Sequence, residues 1–138
     1  MKRNTKGFTL IELLAVIVIL AIIALIAVPV VMNIISNARR SASADTAYSV
    51  LKAAENYYMD LLMTNPNEAH GETVFTFTDA GVTPTLEIQG TKPTAGTIVL
   101  DANGTATIGT EGLRINGFVC NHAGAGEVVT CDDPQGQE

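Results

Sequence analysis

Residues 8–32 read FTLIELLAVIVILAIIALIAVPVVM, twenty-five residues with a single charge, Glu12. A helix of that length rises ~37 Å at ~1.5 Å per residue, enough to cross a hydrocarbon core of ~30 Å. The run is apolar on every side rather than along one stripe, so lipid or like helices must solvate it. Before it stand Lys2, Arg3 and Lys6 with no acid among them. By the positive-inside rule such a flank keeps the amino end in the cytoplasm, and the chain after the run faces outward. Two residues break the pattern. An intramembrane carboxylate such as Glu12 costs about 3 kcal/mol on insertion scales, so it either reaches for the headgroups or awaits a cationic partner. Pro29 removes a backbone donor and crowds the preceding turn, which predicts a kink or local melting.

Past residue 32 the helical period continues but becomes one-sided. Ala47, Val50, Leu51, Ala54, Tyr57, Tyr58, Leu61 and Leu62 recur at spacings of three and four, with Asp45, Lys52, Glu55, Asn56 and Asp60 around the rest of the circumference. Tyr57 and Tyr58 at this spacing read as core packing rather than a ligand stack. Asn65-Pro66-Asn67 stops the pattern. The prediction is one helix over residues 8–64, ~85 Å long and bent at Pro29, whose half over residues 33–64 buries a stripe. Residues 65–138 read as short antiparallel strands. Residues 73–78 alternate and end at Asp79-Ala80-Gly81. Residues 86–88 are a brief second candidate. Residues 97–100 and 105–108 flank Asp101-Ala102-Asn103-Gly104, a hairpin signal because Asn-Gly tolerates positive φ. Residues 113–120 and 128–131 complete the set. The fold class expected is α+β: a long N-terminal helix, membrane-spanning in its first half, packed on a small antiparallel sheet.

At 138 residues and 14.5 kDa the chain has room for one ordinary domain. Nearly half of it is apolar (47%), yet that share is concentrated in the first third. A soluble enzyme with one evenly distributed core does not look like this. Beyond residue 63 only Lys92 and Arg114 face ten acidic residues, so the head repels phosphates and is not expected to bind nucleic acid. No nucleophile-base arrangement stands near His70 or His122, and Gly104, Gly109, Gly112 and Gly117 punctuate strands and turns rather than cradle a nucleotide. Neither an enzyme nor a bound cofactor is expected. Glu127, Asp132 and Asp133 lack the ligand rhythm of a calcium loop, and no metal is assigned.

Cys120 and Cys131 are the only cysteines. With His122 and the distant His70 they make a thin zinc set. Two cysteines in an exported, glycine-rich domain more often form a disulfide, and this one would staple the last strand, or the loop before it, to its neighbour. Closing ten intervening residues would contribute ~2–3 kcal/mol by the chain-entropy estimate. Two unpaired thiols in a reducing compartment are the alternative.

Three fates of the apolar run remain. A secretory peptidase site at Ala42-Ser43-Ala44 lies more than ten residues past Met32 and beyond Arg39 and Arg40. An uncleaved signal anchor is the second. The third is spelled out by Lys6-Gly7-Phe8-Thr9-Leu10-Ile11-Glu12, which resembles the type III signal sequence of type IV pilins and type IV pilin-like proteins; the agreement covers about residues 2–40. The resemblance implies that residues 1–7 are a leader, removed by a prepilin peptidase between Gly7 and Phe8. The same enzyme would then N-methylate Phe8 with its own S-adenosylmethionine. It implies that Glu12 neutralises the Phe8 amine of a neighbouring subunit, and that Pro29 is the helix-breaking proline which melts in the filament. The expected partners are other copies of the chain, the peptidase, the assembly platform and minor pilins, with the cytoplasmic membrane holding the precursor. The expected product is an extracellular fimbrium, of the sort that serves twitching motility and cell adhesion, with the chain as its major pilin rather than a minor one because Glu12 is retained. A pseudopilin of a type II secretion or competence system shares the first helix; secretion pseudopilins bind calcium in C-terminal loops, a pattern not found here. A membrane-anchored binding domain that never polymerises would have no use for Glu12.

Overall fold

The computed structural model describes residues 6–122, 124 and 126–134, and the chain divides into two compact units, Met1–Asn37 and Ala38–Glu138. Helix α1 (Leu10–Thr64) contributes to both, and its helical backbone is unbroken at Pro29. It begins two residues later than expected because Thr9 is the N-cap: its carbonyl accepts the Leu13 N–H at 3.2 Å, the first bond of the helical ladder. In the first unit every described residue is exposed, its Leu, Ile and Val side chains included. By length and composition this is a helix able to cross a membrane.

The second unit holds the rest of α1 and six strands: β1 (Thr73–Thr78), β2 (Gly81–Thr83), β3 (Ala95–Leu100), β4 (Ala106–Ile115), β5 (Phe118–Asn121) and β6 (Thr130–Asp132). They form one antiparallel sheet in the order β2-β1-β3-β4-β5-β6. Strand alternation turns Phe75, Phe77, Ile98, Leu100, Ala106 and Ile108 to one face. Ala47, Val50, Leu51 and Ala54 of α1 join them in a single buried cluster. Tyr57 meets Phe75 edge-on, with ring centroids 5.2 Å apart. Three hydrogen bonds fix the helix along the sheet: Ser43 Oγ to the Ile115 carbonyl, Tyr58 hydroxyl to the Ala102 carbonyl, and Val129 N–H to the Tyr48 hydroxyl. Ser43 is fully buried, a position the apolar periodicity passes over. The architecture is α+β.

Three strand expectations need correction. Residues 113–120 are not one strand. Leu113, Arg114 and Ile115 are the last residues of β4, and the chain reverses at Asn116-Gly117 so that β5 pairs back with Ile115 opposite Phe118. Both turn residues have positive φ, 52° and 87°, the condition for a two-residue turn that matches strand twist. Residues 86–88 form no strand: Leu86 is buried from an irregular segment, and the second strand is Gly81–Thr83, hairpinned to β1 through Asp79-Ala80. The last strand is Thr130–Asp132, shifted so that Cys131 stands opposite Cys120.

The loop between β3 and β4 is built on Asp101. Its Oδ1 accepts the N–H groups of Asn103 (2.9 Å) and Thr105 (2.8 Å), and its carbonyl accepts the Gly104 N–H. The Thr105 N–H is the strongest influence on the Asp101 carboxyl and lowers its pKa; desolvation opposes this, and Asn103 and Gly104 add to the lowering. A carboxyl with a depressed folded pKa stabilises above its unfolded pKa, and the gain is lost as pH falls through the folded value. Asp101→Ala is therefore expected to melt below the parent at neutral pH, with the gap closing on acidification. Thermal melts across the acid range check this, and a pH-independent gap would count against it.

Candidate functional site

Lys6, Gly7, Phe8 and Thr9 precede the helix in an irregular, exposed stretch, and Phe8 is 88% exposed. The Gly7–Phe8 bond is thus open to a peptidase. The next turn is a reciprocal capping pair. Thr9 N–H donates to Glu12 Oε2 at 3.0 Å, and Glu12 N–H donates to Thr9 Oγ1 at 3.3 Å. Two helix-terminal donors are satisfied at once, and the carboxylate stands where the helix dipole is positive. Within a single chain Glu12 therefore has a partner. Cutting the Gly7–Phe8 bond would place a free amine one residue from this pair. Thr9-x-x-Glu12 ahead of an apolar run is the sequence signature of this cap, a role for Glu12 separate from the membrane cost of its charge.

The remaining site residues fall elsewhere. Lys2 and Arg3 lie outside the described residues. Pro29 is an exposed interior residue of α1. Cys120 and Cys131 are joined by a disulfide across directly paired positions of β5 and β6. His70 is on the surface and His122 directly follows β5. Among the described residues, no group of three or more His, Cys, Asp or Glu side chains is placed to hold a metal ion.

A long N-terminal apolar helix and a six-stranded antiparallel open sheet together define a pilin-like α+β architecture. Residues 2–28 match the family model of the prokaryotic N-terminal methylation motif, the type IV prepilin signal. No curated protein and no solved structure matches the chain. The signal and the apolar helix fit a membrane-anchored precursor, and the motif is that of a structural, pilin-like protein.

Proposed function

We propose that the chain is the major structural subunit of a type IV pilus. It is inserted with Lys2, Arg3 and Lys6 inside, cut between Gly7 and Phe8 by a prepilin peptidase, and methylated on the Phe8 amine. It then polymerises as its apolar helices leave lipid for one another. The observation that carries this reading is the methylation motif over residues 2–28, with Glu12 as the lone charge on the apolar run of residues 8–32, whose side chains are all exposed in the single chain. Packing those helices together removes the apolar surface from lipid or water. Pairing Glu12 with a neighbour's Phe8 amine neutralises two charges that would be costly to bury alone, and so sets the register of subunits. The chain acts on no substrate and needs no cofactor of its own. The assembly platform and minor pilins are its partners in the envelope, and nucleic acid is not bound by its acidic head.

Intact mass and amino-terminal sequencing of protein sheared from the cell surface test this. The expected product begins at methylated Phe8 and carries one disulfide. A product beginning at Asp45 would make the head a conventionally secreted domain and end the filament mechanism. Recovery only from membranes, with Met1 retained, would favour an uncleaved anchor.

A further inference from the structure

We infer that Asn103 is an N-linked glycosylation site, its side-chain amide taking a glycan from a lipid-linked glycosyl pyrophosphate through a transferase on the outer face of the membrane. Asn103-Gly104-Thr105 is the one Asn-x-Ser/Thr triplet in the chain, the acceptor pattern of exported surface loops. Asp101 stands two residues before the acceptor and shapes the loop that carries it.

The geometry separates what holds this loop from what it presents. The Asp101 carboxylate fixes its shape through the backbone N–H groups of Asn103 and Thr105. Its underside rests on the helix: the Ala102 carbonyl accepts the Tyr58 hydroxyl at 3.0 Å, and Gly104 lies against the Tyr58 ring. Asn103 is exposed, and its Nδ2 makes only a long 3.4 Å contact, with Asp101 Oδ2. The acceptor amide is thus not used to hold the fold. Nor is the Thr105 hydroxyl needed by the turn, which employs that residue's N–H and carbonyl. The loop asks for positive φ only at Gly104, at 83°, and has no need of an asparagine side chain before it or of a hydroxyl after it. Asn116-Gly117 shows the contrast, since it makes a turn of its own and is followed by Phe118.

In the reaction the Asn103 amide nitrogen bonds to the anomeric carbon of the donor sugar. The bond from that carbon to the phosphate oxygen breaks, its electron pair leaves with the lipid pyrophosphate, and the amide gives up one proton to a base of the transferase. No oxidation or reduction is involved.

The inference rests on export of the head, as in the proposed function. The test is peptide mass mapping of the full chain purified from its native cells, with the thiol state of Cys120 and Cys131 read in the same sample. The expected result is a sum of sugar residues on the peptide carrying Asn103, localised to that residue. It is lost completely in Asn103→Gln and Thr105→Ala and kept in Thr105→Ser. Bare Asn103 beside an intact Cys120–Cys131 bridge would overturn the site and leave export standing; bare Asn103 beside free thiols would overturn both. Simple deamidation at Asn103 and Asn116 alike, with no sugar, would also overturn it, as would a modification that survives Thr105→Ala.

Discussion

Glu12→Gln is expected to leave a subunit that is cut and methylated normally but builds filaments at a yield lower by ~100-fold or more. The substitution is chosen against the geometry at the start of α1. Glutamine is accepted at the third helical position of a capping box, so the Thr9 N–H that Glu12 Oε2 now receives at 3.0 Å keeps its acceptor. A cap is worth ~1 kcal/mol, and this variant does not spend it. What it removes is the charge, which under the proposed mechanism leaves a neighbour's Phe8 amine unpaired in an apolar contact. Breaking one partner of a buried pair costs ~3–5 kcal/mol, and 3 kcal/mol is already a factor of ~150 in an association constant. The loss recurs at every subunit added, so filaments suffer more than any single contact. Glu12→Ala also leaves the Thr9 N–H without its acceptor, while Thr9 Oγ1 still receives the backbone N–H of residue 12, and it should assemble no better. Filament yield by shearing and electron microscopy, with the amino terminus sequenced from the membrane pool, decides the matter. Normal yield from Glu12→Gln together with reduced yield from Glu12→Ala would mean that the carboxylate serves the cap, and the pairing mechanism would fall.

Much of this was legible because the strongest signals in the chain are long or local. An apolar run free of charge except at Glu12 admits few structures, and the alternation over residues 73–78 marks β1 to the residue. The stop at Asn65-Pro66 is equally local, since the helix ends at Thr64. What stayed hidden depends on pairing. Gly81–Thr83 is too short to show a period, and it is a strand only because Thr76, Phe77 and Thr78 supply partners. Leu86 is apolar and buried like a strand residue, yet no neighbouring strand takes up its backbone. The split of residues 113–120 was written in Asn116-Gly117, but apolar residues on both sides of that turn gave the look of one strand. At the amino end the spacing from Thr9 to Glu12 was equally visible. There one carboxylate carries two signals, a charge costly in the membrane and an acceptor for the Thr9 N–H, and only the first is set by composition.

The second large effect is expected at Gly96, where a single methyl group should lower the melting temperature of the head by ~12 °C or more. β3 and β4 do not pair evenly. Gly96 stands opposite Leu113 and Ile98 opposite Ile108, so β4 spends five residues where β3 spends two. The difference is odd, and an odd insertion turns later side chains to the other face. It is why Leu113 and Ile115 are as fully buried as Ala106 and Ile108 on the same strand. Gly96 sits at that irregularity with φ of 112°, where a side chain is strained. A Cβ there would run into the Gly112 carbonyl oxygen and come within 2.9 Å of Leu113 Cα. Both obstacles are backbone and cannot swing aside. Strain of ~1–3 kcal/mol for the dihedral and ~1–3 kcal/mol for the overlap put Gly96→Ala at ~3 kcal/mol or more. At ~4–8 °C per kcal/mol for a domain of this size, that is ~12–24 °C. Gly71→Ala is the control: its Cβ would meet nothing closer than the Glu68 carbonyl at 3.9 Å, and its φ is ordinary. Thermal melts of the full chains in detergent, followed by a signal from the tyrosines that pack on the sheet, compare the two. A Gly96→Ala head melting within a few degrees of Gly71→Ala would mean that β4 can shed its extra residues. The burial of Leu113 and Ile115 would then need another explanation than this offset.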